Sequence, residues 1–163
     1  MRLVVICLTL LPIPALAEEF TGKVVGVTDG DTIRVLRGQE EVKIRLSGID
    51  CPESHQAFGS KAKQVTSELA FGKTVTVQAK GQDKYQRTLA EIILPDGKNL
   101  NRALVRAGFA WWYKKYSKDE SLGRLEAEAR AAKSGLWADP NPTPPWEWRR
   151  QQKPQRPARK RAA

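Results

Sequence analysis

Asp29, Asp31, Asp50 and Glu53, with Arg45 between them, fall within 25 residues of one another. Carboxylates in that number can hold a hard cation or move a proton, and an arginine among them can pair with them or clamp an anion. A plainer reading stands beside this one. Asp29-Gly30 is a strong hairpin signal, and acids at turns are ordinary surface residues. The spacing alone leaves both open.

The metal-ligating inventory narrows the chemistry. The chain has 163 residues, two cysteines and one histidine. Cys7 lies in a segment with a positive start at Arg2, an apolar run from Leu3 to Leu11 and a small-x-small ending at Ala15-Leu16-Ala17, the anatomy of a secretory signal peptide. Cleavage is expected near Ala17, with a secreted or periplasmic product. The apolar run is too short to span a bilayer and is followed by Pro12 and Pro14, so no stable membrane insertion is expected. Cys51 then stands alone, which excludes an internal disulfide, and one Cys with one His excludes a four-ligand structural zinc site. Any metal would be a hard cation held by oxygens.

The formal net charge is +10. With Arg2 and the seven cations of the tail (Arg149, Arg150, Lys153, Arg156, Arg159, Lys160, Arg161) set aside from the 28 Lys and Arg, 20 remain against 18 acids. The positive charge therefore belongs to the C-terminal end. Such an end attracts polyanions by counterion release without choosing among nucleic acid, anionic lipid and acidic polysaccharide, or it serves only to solubilise.

Short strands must carry the acids. Val-rich alternation over 20–28, the Asp29-Gly30 turn, residues 32–36, a turn at Arg37-Gly38-Gln39 and residues 42–46 predict a three-stranded meander. Apolar residues at even positions of the third strand put Lys43 and Arg45 on its other face. Pro52 ends this region. Phe58, Ala62, Val65 and Leu69 recur at helical spacing up to Gly72, with Ser54 and Ser60 as candidate caps. Lys73 to Gln78 and Thr88 to Leu94 predict two more strands, separated by a polar loop at Gly81 to Tyr85. Asn99 caps a short helix closed by Gly108, and Asp119 caps a third helix with Leu122, Leu125, Ala129 and Ala132 on one face. The expected fold is α+β and barrel-dominated: five strands in a small Greek-key barrel with three helices over 18–138. Residues 139–148 are expected to form a Pro/Trp-rich docking segment anchored by Trp146 and Trp148, and 149–163 a disordered basic tail.

Taken in order, Asp29-Gly30-Asp31-Thr32, Arg45-Leu46, Ile49-Asp50-Cys51-Pro52-Glu53, Asp83-Lys84-Tyr85-Gln86-Arg87 and Asn101-Arg102-Ala103-Leu104-Val105-Arg106-Ala107-Gly108 resemble the thermonuclease (staphylococcal nuclease-like) family across about 20–138. The resemblance implies an OB-fold barrel and a calcium-dependent nuclease that cuts DNA and RNA with little sequence specificity, leaves 3′-phosphate ends, prefers single-stranded or frayed substrate and acts as a monomer. It also implies the roles. Asp31 and Asp50 would hold Ca2+ with the backbone carbonyl of Cys51, which stands where the best-known member has threonine. Glu53 would act on the attacking water, as general base or by orienting it. Arg45 and Arg87 would clamp the phosphate. Lys84 and Tyr85 would hold a terminal phosphate, and Asp29 would tune the metal site from outside it. His55 has no part in that chemistry and is expected in a solvated loop.

Two departures are visible. The loop after Glu53 is shorter than in the best-known member. The family's base-stacking tyrosine falls at Tyr113 or Lys114 depending on a one-residue alignment choice, so a ring among Trp111, Trp112 and Tyr113 is expected to stack on a base, while core packing is the plainer reading for at least one of the tryptophans. The alternative from another class is a catalytically inactive OB-fold module that binds nucleic acid or protein; such copies should have lost some metal or arginine positions.

Overall fold

The computed structural model describes residues 18–152. The expected signal segment and the tail beyond 152 lie outside the described residues. Five strands close into a barrel in the order β1 (Glu19–Asp29), β2 (Thr32–Arg37), β3 (Glu40–Leu46), β6 (Thr88–Ile93) and β5 (Thr74–Gln82), with β5 returning to β1. All neighbours are antiparallel except β3 and β6, whose parallel pairing closes the barrel. Two short strands, β4 (Ile49–Asp50) and β7 (Trp111–Trp112), pair beside it. The result is the expected OB-like α+β barrel.

Closure depends on β1, which pairs with both β2 and β5. Register shifts after Val24 and Val27 bend the strand, as bulges do. At the seam a side chain on Gly22 would lie 2.3 Å from the Leu36 carbonyl oxygen, so only hydrogen fits there. Alternation then sends Val24, Ile33, Val35, Ile44, Leu46, Val75, Val77 and Ile92 inward, each at most 1% exposed. Burial of such a side chain contributes about 1.5–3 kcal/mol. Strand β5 runs four residues further than the alternation predicts, because a bulge at Gly81 (φ 135°) lets Gln82 still pair with Thr88.

Helix α1 (Gly59–Ala70) is entered through Phe58 in a left-handed conformation with no side-chain cap, so neither Ser54 nor Ser60 caps it. Its fully buried residues are Gly59, Ala62, Thr66 and Ala70, while Val65 and Leu69 flank them half-buried. Small residues at the contact let the helix lie close against the β1–β2 turn. Helices α2 (Leu100–Arg106) and α3 (Glu120–Ala131) are capped as expected, Asn99 accepting from the Arg102 N–H and Asp119 from the Ser121 N–H. A 3-10 turn at Gly135–Ala138 follows, packing Leu136 and Trp137.

A fourth helix, α4 (Pro145–Gln151), corrects the expectation of three helices. Pro145 occupies the first turn, where its missing N–H costs nothing. Arg149 and Arg150, assigned by composition to a structureless tail, are therefore helical. No helix among the described residues is long and apolar enough to cross a membrane.

Candidate functional site

The β1–β2 turn is pressed onto α1 and β4. The Thr66 hydroxyl donates to the Gly30 carbonyl at 2.6 Å, and a side chain at Gly30 would meet Cβ of Cys51 at 2.7 Å and of Ala62 at 2.9 Å. That contact sets Asp31 against the start of the next loop, where its Oδ2 accepts the Cys51 N–H at 2.7 Å. Across the β2–β3 ladder Thr32 lies opposite Arg45, so Arg45 emerges at the same end of the barrel.

One guanidinium joins the two aspartates. Arg45 Nη1 lies 2.9 Å from Asp31 Oδ2, and Nη2 donates to Asp50 Oδ1 at 2.7 Å. The Arg45 side chain is 12% exposed and the aspartates 8% and 1%, so the strand arginine is a buried ion-pair partner. Nη1 also reaches the carbonyls of Leu46 and Ile49 at 3.1 and 3.2 Å. Burial pushes the Asp31 carboxyl up to about 7, with Arg45 opposing and the charges of Asp29 and Asp50 adding to the rise. Burial raises Asp50 as well, against the pull of Arg149 and Arg45. Although burial disfavours its charge, Arg45 is held further on the charged side by Asp31 and Asp50.

Among the described residues, no three His, Cys, Asp or Glu side chains group to hold an ion by themselves. The two convergent aspartates supply oxygen donors only, and their carboxyls are raised chiefly by burial, a cost that a bound cation would offset. This donor set fits a hard cation such as calcium, completed by a carbonyl and water. The Cys51 thiol beside it is buried and pushed well up by burial, which leaves it neutral.

Glu53 sits on the loop from β4 to α1, 40% exposed. The loop is held tightly: the Glu53 N–H donates to Gln56 Oε1 at 3.1 Å, the Gln56 N–H donates to the Glu53 carbonyl at 2.8 Å, and Gln56 Nε2 donates to the Thr143 carbonyl at 2.6 Å. A Cβ at Gly59 would lie 1.8 Å from the Glu53 carbonyl oxygen. Gly59→Ala is therefore expected to shift the Glu53 loop and lower kcat about 10²-fold, the usual penalty for a displacement near 1 Å. Full activity in that variant would show that the position of Glu53 is immaterial. His55, on the same loop, is exposed as expected.

Arg87 arrives at the start of β6, beside the β2–β3 pair, with Nη1 3.4 Å from Thr32 Oγ1. Asp83 holds it, accepting from Nε at 2.7 Å and from its backbone N–H at 3.0 Å, with Nη2 also 2.7 Å from Asp83 Oδ2. Burial pushes the Asp83 carboxyl up, but the hydrogen bonds from Arg87 and from the Tyr85 N–H together outweigh it and hold the carboxyl below its usual range. Lys84 and Tyr85 project from the same turn, Tyr85 67% exposed with the Lys84 ammonium 4.9 Å and the Arg87 guanidinium 5.6 Å from its ring centre.

A cleft of about 810 Å³ opens alongside, lined by Lys84, Lys114, Lys115, Arg130, Arg149 and Arg150 with Glu126 as its one carboxylate. Cations interleaved with aromatic rings make a surface suited to nucleic acid. The three candidate stacking rings are already engaged. Trp111 is buried edge-on against Trp137, centroids 4.4 Å apart. Trp112 lies on Gly123, with Lys114 near its ring. Tyr113 lines the cleft but is stacked on Trp146, centroids 5.2 Å apart and planes 7° from parallel.

The residue that sequence reasoning missed is Arg149. From α4 its Nη2 donates to Asp50 Oδ2 at 2.7 Å, and its Nη1 donates to Glu53 Oε1 at 2.5 Å and to Asp50 Oδ1 at 3.3 Å. Its signal was present but indirect: a proline able to start a helix, then Trp146 one turn before Arg149 on the same face.

Comparisons with known proteins agree with the barrel. The chain is 46% identical over 136 residues to an uncharacterized endonuclease of Escherichia coli O157:H7, covering 83% of this chain and 89% of that one. It is 44% identical over 154 residues to a micrococcal nuclease of Shigella flexneri, covering 88% of each, and 39% identical over 111 residues to a staphylococcal-like nuclease of Arabidopsis thaliana, covering 68% of this chain and 34% of that one. Residues 43–139, more than half the chain and the stretch carrying Arg45, Asp50, Glu53 and Arg87, match the family model described as staphylococcal nuclease homologue, and to that family the chain belongs.

Proposed function

We propose that this phosphodiester-hydrolysing endonuclease is a calcium-dependent, secreted or periplasmic enzyme that cuts DNA and RNA with little sequence preference and leaves 3′-phosphate ends. The observation that carries the reading is the meeting of Asp31 and Asp50 on Arg45, with Glu53 one loop away, beside a cationic, ring-lined cleft. Secretion rests on the signal-like anatomy of the first seventeen residues.

In this proposal Asp31 and Asp50 hold the calcium ion with the Cys51 carbonyl. Calcium bound there would neutralise charge on the phosphoryl oxygens. Glu53 accepts a proton from the attacking water, whose oxygen bonds to phosphorus as the bond to the 5′-oxygen breaks. Arg87, held through Nε by Asp83, presents Nη1 to the oxygens on which charge builds, and Arg45 sets a buried positive charge beside them, tasks suited to a planar guanidinium that stays ionised. Asp83 fixes the plane of Arg87. Lys84 and Tyr85 bind a neighbouring phosphate, and the ring of Tyr113 meets a base. A monomer suffices, since every group in the scheme comes from one chain.

The test is release of acid-soluble nucleotides from single-stranded DNA, duplex DNA and RNA, with calcium and with a chelator. Cleavage is expected with calcium, fastest on single strands, and to disappear on chelation. Cleavage undiminished by the chelator would overturn the calcium requirement, and binding without cleavage in calcium would overturn the hydrolytic reading.

A further inference from the structure

We propose that α4 is a strap that fills its own active site, Arg149 standing where the cation would sit and Trp146 where a base would stack. The inference rests on the reading of Asp50 and Glu53 given above. Its two observations are separate contacts of one short helix. Arg149 supplies donors to both oxygens of Asp50 and to Oε1 of Glu53, so the carboxylate proposed to hold the metal and the one proposed to take a proton from water are occupied by the same guanidinium. One turn earlier, Trp146 lies parallel to Tyr113, covering a face of the ring that would meet a base.

Oxygen occupancy makes the first contact exclusive. Arg45 Nη2 already donates to Asp50 Oδ1 at 2.7 Å, so Arg149 on Oδ2 at 2.7 Å takes the oxygen left for a divalent cation, in a site where Asp50 is 1% exposed. A hydrogen bond from Arg149 to Glu53 likewise ties up the oxygen that must accept a proton. Metal and nucleic acid therefore bind only when α4 lifts, and each favours the lifted state.

The strap is built to lift. Helix α4 has seven residues and shares no extensive backbone packing with any other element. Pro145 is buried, Arg149 is 40% exposed, and the docking is by side chains, with Trp146 on Trp111 and Tyr113, Trp148 lining a small pocket with Phe58 and Leu136, and the Arg149 ion pairs. Elements held by few contacts open at low cost. The preceding Asn141 to Pro144 segment is pinned at Thr143, whose carbonyl accepts from Gln56 Nε2 at 2.6 Å, so α4 lifts from its extended entry at Pro144 while the arm stays on the Glu53 loop.

The test uses the full chain and calcium alone, with titration calorimetry as the readout. Arg149→Gln is expected to bind calcium about tenfold more tightly, the factor by which a strap closed roughly nine-tenths of the time weakens a competing ligand. In the unaltered chain, hydrogen exchange at the α4 amides is expected to quicken when calcium is added, a measurement that needs no variant. Asp50→Asn separates the two readings. If it binds calcium as well as the unaltered chain, the metal site itself is wrongly assigned. If it loses calcium, yet Arg149→Gln binds no tighter and α4 exchange ignores calcium, the site stands and the strap is overturned.

Discussion

Glu53→Gln is expected to lower kcat for DNA cleavage by about 10²–10⁴ at saturating calcium while leaving KM nearly unchanged. Glutamine keeps the shape of the side chain and an acceptor oxygen, but it cannot take a proton from water. Glu53 is 40% exposed and its loop is held by backbone bonds through Gln56, so the substitution should not disturb the fold. The measurement is steady-state cleavage of a short single-stranded oligonucleotide, with circular dichroism as the check on folding. The size of the loss separates two roles. A residue that only orients water with an accepted hydrogen bond is replaced tolerably by glutamine, at a cost near tenfold, whereas a proton acceptor is not replaced at all. Activity equal to that of the unaltered chain would remove Glu53 from the chemistry.

The sequence exposes this site unevenly, for physical reasons. Arg45 and its neighbours are readable because strand alternation is a local property: once Ile44 and Leu46 are inward, Arg45 must face the other way, toward the loop bearing Asp50. The depth of Arg45 is not local. It becomes buried because Asp31 and Asp50 close over it from two other segments, and no pattern within β3 predicts 12% exposure.

Helix α1 shows the same division. Its existence follows from periodicity, but its contact face turned out one position away from the apolar stripe, since close approach to the β1–β2 turn selects Ala62, Thr66 and Ala70 over the larger Val65 and Leu69. Arg149 lay furthest from view. It contacts Glu53 across 96 residues of chain, and the Pro, Gln, Lys and Arg composition around it gives no apolar period from which to read a buried face. By composition the aromatic segment at 111–113 offers base platforms and core rings alike. Rings that could stack on a ligand stack equally well on one another, and composition does not say which they will choose.

Arg45→Met should combine a loss of activity of about 10²–10³ with a loss of stability that grows with pH. Methionine retains length and apolar bulk, so the charge and its hydrogen bonds are what disappear. Removing one partner of a buried ion pair costs about 3–5 kcal/mol when the other is left charged, or about 10 °C in Tm for a domain of this size. Whether Asp31 is left charged depends on pH. Burial pushes its carboxyl up to about 7 from an unfolded value near 3.8, and Arg45 is the main influence pulling it down. The folded pKa is the higher one, so folding takes up a proton between these values, and the stability that Asp31 contributes is present at low pH and lost as pH rises through about 7. Near pH 5 Asp31 is largely neutral and hardly needs the arginine. At pH 8 the unaltered protein pairs an ionised Asp31 with Arg45, while the variant must either bury that charge alone or hold its proton against the solvent. The deficit in Tm should therefore be several degrees larger at pH 8 than at pH 5, and calcium should recover part of it at pH 8 by returning positive charge to the aspartates. A deficit that does not change between these pH values would mean that Asp50 alone needs Arg45, and that Asp31 keeps its charge by contact with the Cys51 N–H.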